Sequence, residues 1–207
     1  MKVNKLFKVM LNDIKREKST YISLIVVVII SLFFGTLFIT ILKEADKKLI
    51  VSEITNFFDT VNSKNYVLSS NLLPNLVNND VFLLIIFLLG LSIVGLPFIV
   101  CMLFYKGFTL AFTVTTLIYN FKFEGILFSF LYIFPHLILN LILYFIMCVY
   151  AFNLSIKIFK NILNKEDFKI KEQLKKYILV FIILILTLSI SSLYETYIIP
   201  YIIKLIY

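Results

Sequence analysis

Tryptophan is absent from this 207-residue chain, histidine occurs once, cysteine twice, proline four times and glycine five times. Each scarcity removes a class of function. A transition-metal centre draws on several His, Cys and carboxylate ligands, and one histidine with two separated cysteines does not supply them. Cys101 and Cys148 lie inside apolar runs, which argues against a disulfide framework and marks both as packing residues. The dispersed glycines, Gly35, Gly90, Gly95, Gly107 and Gly125, form neither a phosphate loop nor a dinucleotide fingerprint. No nucleophile-elbow pattern surrounds Ser129, Ser189, Ser191 or Ser192, so a hydrolase with His136 as base is not expected. No cofactor and no catalytic set is therefore assigned. Arginine is reduced to Arg16, so the net charge of +8 is carried by lysine point charges, suited to lipid headgroups rather than to forked recognition of nucleic acid.

What the chain has in abundance is apolar surface. Hydrophobic residues make up 61% and charged residues 15%, against about 25% charged in soluble domains, and the mean hydropathy is +0.99. Membrane lipid is the expected solvent. A spanning helix needs about 20 apolar residues, and charge-free runs cover residues 21–42, 81–105, 107–121, 125–156 and 177–194. The expected fold is an all-α polytopic bundle of about five transmembrane helices in a single multi-pass membrane domain. The run 107–121 is short for a full crossing and 125–156 is too long for one straight helix, so the latter is expected to break near Pro135. The first run is too long for a cleaved signal peptide and lacks a small-x-small exit, so it is expected to stay as an anchor.

Lysine placement orients the bundle, because basic flanks stay on the cytoplasmic side. The segment 1–20 is basic and is expected inside. Residues 43–80 carry Lys43, Lys47, Lys48 and Lys64 against Glu44, Asp46, Glu53, Asp59 and Asp80, and are expected to form an outer loop. Residues 157–176 are again lysine-rich and belong inside. Three crossings then separate the two loops, with Lys106 as a tight inner turn, Lys122 and Glu124 as an outer turn, and the C-terminus outside. Within the outer loop, Ile50, Ile54, Phe57, Phe58 and Val61 recur at helical spacing, predicting an amphipathic helix able to lie in the headgroup layer or to receive a partner.

Ionisable and amide groups at membrane depth are costly and default to functional hypotheses. His136 lies deep in the fourth run with Asn140 one turn on, and together they are expected to hydrogen-bond between helices. Glu195, with Ser192 and Thr196 within one turn, is placed near the outer boundary. Thr109, Thr113 and Thr116 give a small polar face for close packing. A transporter or channel using the interrupted fourth helix stands as the alternative to a purely structural protein.

The run Leu89-Gly90-Leu91-Ser92-Ile93-Val94-Gly95-Leu96-Pro97, then Lys106-Gly107-Phe108 and Phe112-Thr113-Val114, then Pro135, and finally Ser191-Ser192-Leu193-Tyr194-Glu195-Thr196-Tyr197 ending at Pro200, resembles the stage II sporulation protein M family. Asn78-Asn79 fits an asparagine position ahead of the second span. The wider superfamily carries a Pro-His-Gly-x-x-Glu motif, of which Pro135 and His136 are present while Leu137 replaces the glycine and Asn140 the glutamate. The resemblance implies a nonenzymatic scaffold in the bacterial cytoplasmic membrane, at the mother-cell side of the sporulation septum. Its implied partners are stage II sporulation proteins D and P, the cell-wall hydrolases of forespore engulfment. It also marks Lys106, Gly95, Pro97, Pro135, His136, Asn140, Ser192 and Glu195 as intramembrane polar or packing positions.

Overall fold

The computed structural model describes residues 17–62, 72–130, 134–164 and 170–201, which are helical almost throughout with no strand among them. Six α-helices follow in order: α1 (Lys18–Ile41), α2 (Glu44–Asn62), α3 (Leu72–Gly90), α4 (Gly95–Phe128), α5 (Phe134–Asn164) and α6 (Ile170–Leu193), the last continued by a π-helical turn, Tyr194–Ile198. Five stretches are long and apolar enough to cross a membrane: Lys18–Ile41, Leu72–Gly90, Gly95–Phe123, Pro135–Leu163 and Lys171–Tyr201. That number matches the expectation from sequence, but the second and third boundaries do not.

Lys106 is not a turn. It lies within α4, and the chain instead reverses across residues 91–94, where Leu91 N–H donates to Leu88 O at 3.1 Å and Gly95 N–H to Ser92 O at 3.2 Å. Glycine is required there, because a Cβ at Gly95 would fall 2.6 Å from the Leu89 carbonyl carbon. Pro97 follows in the first turn of α4, where its missing amide N–H costs no helical bond. Pro74 and Pro135 occupy the same part of α3 and α5. Counting uncharged residues placed the reversal at the lysine, whereas backbone chemistry places it between two glycines. A second consequence is that α3 already begins at Leu72, so residues 72–80, assigned above to the outer loop, are part of the span.

The turn expected at Lys122 is present. Lys122 has φ 51 and ψ −118, a kink after which the chain folds back; a Cβ at Gly125 would fall 2.8 Å from the Leu117 carbonyl carbon. The long fourth run is thereby divided: Gly125 to Phe128 closes α4 and α5 begins at Phe134, while residues 131–133, next to the break expected near Pro135, lie outside the described residues.

Helix α5 is the axis of the bundle, packed against α3, α4 and α6. Its Tyr144, Met147, Cys148 and Ala151 are fully covered, together with Leu83 and Ile86 of α3, Ile99 and Leu103 of α4 and Leu188 of α6. Phe33, Phe34, Phe98, Leu186 and Ile190 point outward, an apolar exterior suited to lipid tails. Helix α1 lies against α4 through small residues on both sides. Ser31 and Gly35 meet Gly107 and Ala111, and a Cβ at Gly35 would fall 2.8 Å from Ala111 Cβ. Such pairs let backbones approach where lipid provides no hydrophobic drive. Phe38 then packs its ring 5.4 Å from Phe108 and 5.8 Å from Phe112.

The amphipathic helix is α2. Ile50 and Ile54 are half-buried, and Lys47 stands 5.3 Å over the Tyr119 ring, which ties α2 to the Ile41 end of the bundle. The side chains of Phe57, Phe58 and Val61 lie outside the described residues, as do residues 1–16 and Lys165.

Candidate functional site: an intramembrane polar cluster

The sites begin with two facing helices that each carry a polar pair four residues apart. On α3, Asn75 and Asn79 lie on one face; on α6 and its π-turn, Ser192 and Thr196 do the same. The Asn79 amide donates to Ser192 Oγ at 3.0 Å and to Glu195 Oε2 at 3.5 Å, and the Asn75 amide donates to Thr196 Oγ1 at 3.2 Å. Tyr144 of α5 completes the set by donating its hydroxyl to Asn79 Oδ1 at 3.1 Å. Ser189 donates to Asp80 Oδ2 at 3.5 Å, while Asp80 Oδ1 has no hydrogen-bond partner. Asn79, Ser192 and Thr196 are buried, so this is a closed interhelical network and not a surface.

Lys106 enters the cluster from α4. It is eleven residues past Gly95, about 16 Å along the helix axis, and so near the middle of the span Gly95–Phe123. Its ammonium sits 4.2 Å over the Phe82 ring and 4.8 Å over the Tyr144 ring, and the two rings meet edge-to-face at 5.0 Å. Ring faces attract a desolvated cation, which offsets part of the cost of placing a charge at this depth. The Glu195 carboxyl, which accepts from Asn79, is the opposite charge nearest in effect to Lys106.

Beside Lys106 lies a partly open cavity of about 60 Å³ lined by Asn79, Lys106, Thr109, Leu110, Leu137, Asn140, Leu141 and Tyr144. Asn140 is 4% exposed and its Oδ1 has no hydrogen-bond partner. Asn140 and Tyr144 lie four residues apart on α5 and both line this cavity. His136 is buried, but it stands in the first turn of α5 rather than at mid-depth, because the helix begins only at Phe134. The mid-depth position belongs to Lys106. Thr109, Thr113 and Thr116 bond back to carbonyls of their own helix, four residues earlier, and so bridge to no other helix through those hydroxyls.

Glu195, Ser192, Asn140 and Lys106 thus gather around Asn79 and Tyr144, while His136 is buried nearer the start of α5. Gly95 and Pro97 stand apart at the opposite end, where Ser155 donates to Ser92 O at 2.7 Å and Lys157 pairs with Glu17 at 3.0 Å. Sequence reasoning missed Asn75, Asp80 and Tyr144, and named Asn79 only through the family resemblance. The matched four-residue spacing of Asn75/Asn79 and Ser192/Thr196 was the available signal. Among the described residues no group of three or more His, Cys, Asp or Glu is arranged to hold a metal ion. Cys148 is buried and Cys101 exposed, each as a free thiol. The arrangement offers hydrogen-bonded helix locking, one intramembrane cation and a small polar cavity.

A family model described as Stage II sporulation protein M matches residues 24–200, from the first helix to Pro200. No curated protein and no solved structure matches the chain.

Proposed function

Because the chain belongs to the stage II sporulation protein M family, a sporulation family of the membrane, we propose that it is a nonenzymatic scaffold that recruits and anchors peptidoglycan hydrolases at the septum during forespore engulfment. The observation that carries this reading is the extent of the family match, which runs from within the first span to within the fifth. The partners are stage II sporulation proteins D and P, and the location is the mother-cell membrane at the septum. The N-terminus and the 157–176 segment face the cytoplasm, and α2 faces outward toward the wall, in keeping with the lysine asymmetry. Chemistry on peptidoglycan is delegated to the partners. The bundle supplies intramembrane surfaces for their anchors, and its helices are held in register by the Asn79 network.

The test is localisation in sporulating cells depleted of this chain, with fluorescent fusions of the two hydrolases. Dispersal of both fusions along the mother-cell membrane and stalled engulfment are the expected results; normal septal foci would overturn the recruiting role. A second reading, passage of a small solute or ion, is favoured by the cavity at Lys106 and Asn140. Flux measured in vesicles separates the two readings.

A further inference from the structure

Two groups in the α4–α5 cleft are only partly satisfied. Lys106 makes no ion pair among the described residues: its ammonium rests on the Phe82 and Tyr144 rings, while the nearby Glu195 takes the Asn79 amide. An ammonium has three donors, and rings satisfy them only in part. Asn140 Oδ1 is buried without a hydrogen-bond partner and opens onto the same volume. A buried polar atom in that state calls for a ligand or a water. Leu110, Leu137 and Leu141 form the apolar part of the lining, and all the walls come from membrane-spanning helices.

We propose that this cleft is a docking site for a carboxyl side chain, Asp or Glu, carried on the membrane span of a partner protein. Charge complementarity selects the occupant. The oxygens of a carboxyl group accept from Lys106, and Asn140 bonds the same group, through Oδ1 if the acid is protonated or through Nδ2 after a half-turn of the amide if it is ionised. The leucines pack against the partner helix around it. The volume of about 60 Å³ admits a small polar group and not a large solute. An acid in a lone membrane helix is costly, so burial against Lys106 is a strong reason for such an anchor to associate here and not elsewhere. The inference rests on the recruiting role only for which proteins carry that acid.

The test uses the full chain in lipid vesicles with a labelled single-span peptide of about 20 leucine and alanine residues, bearing one central Glu or, as control, Leu. Energy transfer from labelled protein reports association. The Glu peptide is expected to bind about tenfold more tightly than the control, the scale of one interhelical polar contact in model peptides. Lys106→Met is expected to erase that preference and Lys106→Arg to keep it. Asn140→Leu, which leaves the cation in place, is expected to reduce it. Equal binding of both peptides to the native chain would mean that the cleft holds water only, and would overturn the inference while leaving septal recruitment to stand or fall on its own localisation test. A Glu preference undiminished in a folded Lys106→Met variant would overturn it equally.

Discussion

The Asn79 side-chain amide donates to Ser192 Oγ at 3.0 Å across α3 and α6, and its Oδ1 accepts from Tyr144 of α5 at 3.1 Å. One buried amide therefore joins three of the five spans. Replacing Asn79 by Leu removes both bonds, takes from Ser192 Oγ its Asn79 donor and leaves the Tyr144 hydroxyl only its longer bond to the backbone carbonyl of residue 79, at 3.4 Å. Interhelical hydrogen bonds average about 0.6 kcal/mol and reach about 1.7 kcal/mol, so Asn79→Leu is expected to lower stability by about 1–2 kcal/mol, and Ser192→Ala by less. Unfolding in mixed micelles checks this; unchanged stability in Asn79→Leu would show that the network does not lock the bundle.

Gly35 permits the close crossing of α1 and α4. A Cβ there would fall 2.8 Å from Ala111 Cβ and crowd the Phe108 carbonyl, so Gly35→Leu must push the helices apart. Overpacking of this kind costs about 1–3 kcal/mol. Thr36→Leu, one residue on at an exposed position, is the control and should stay within about 0.5 kcal/mol. Comparable losses in both variants would contradict the packing described.

At the start of α2, Lys47 Nζ lies 2.8 Å from Glu44 Oε1. The hydrogen bond, and then the charge of Lys47, hold the Glu44 carboxyl below its ordinary value, while the same bond raises Lys47. The signs follow: the Glu44 contribution is present above its unfolded value and fades as pH falls through the lowered one. The Lys47 contribution is present below its unfolded value and fades as pH rises through the raised one. Both operate together at neutral pH. NMR titration of Glu44 should show its midpoint return to the ordinary carboxylate range in Lys47→Gln; an unmoved midpoint would remove the pair from solution.

A reporter active only outside the cytoplasm should be active when inserted within 63–71 or fused after Tyr207, and inactive within 165–169 or when fused to a chain truncated at Val94. The last fusion separates the reversal at 91–94 from one at Lys106. Activity at 165–169 would contradict the proposed orientation.

The number of spans was legible in the sequence because charge-free length is a direct consequence of bilayer thickness. The amphipathic α2 was legible for an equally local reason. The reversal at 91–94 was not, because uncharged-run counting treats any lysine as a boundary, and Lys106 is held inside the bundle by the Phe82 and Tyr144 rings. Neither was the centre of the polar cluster. Asn79 and Asp80 read as the edge of a loop when the span is started at residue 81, and Tyr144 reads as one more apolar aromatic. Their role depends on which helices face each other, and the pairings of α3 with α6 and of α4 with α5 are not written in any single segment. Ser192 and Glu195 were found because they break an otherwise apolar run, yet their partners lie more than a hundred residues away in α3.

The central claim, that this chain anchors the engulfment hydrolases, is tested most directly by reconstitution. The full-length chain, in lipid nanodiscs with both hydrolases retaining their membrane anchors, is passed over a sizing column alongside discs that contain the hydrolases alone. The account predicts that affinity capture of the chain retains both hydrolases in one particle, whereas capture from discs in which the chain is replaced by an unrelated five-span protein retains neither. Equal retention of the hydrolases by the two proteins, or none by either, would contradict it.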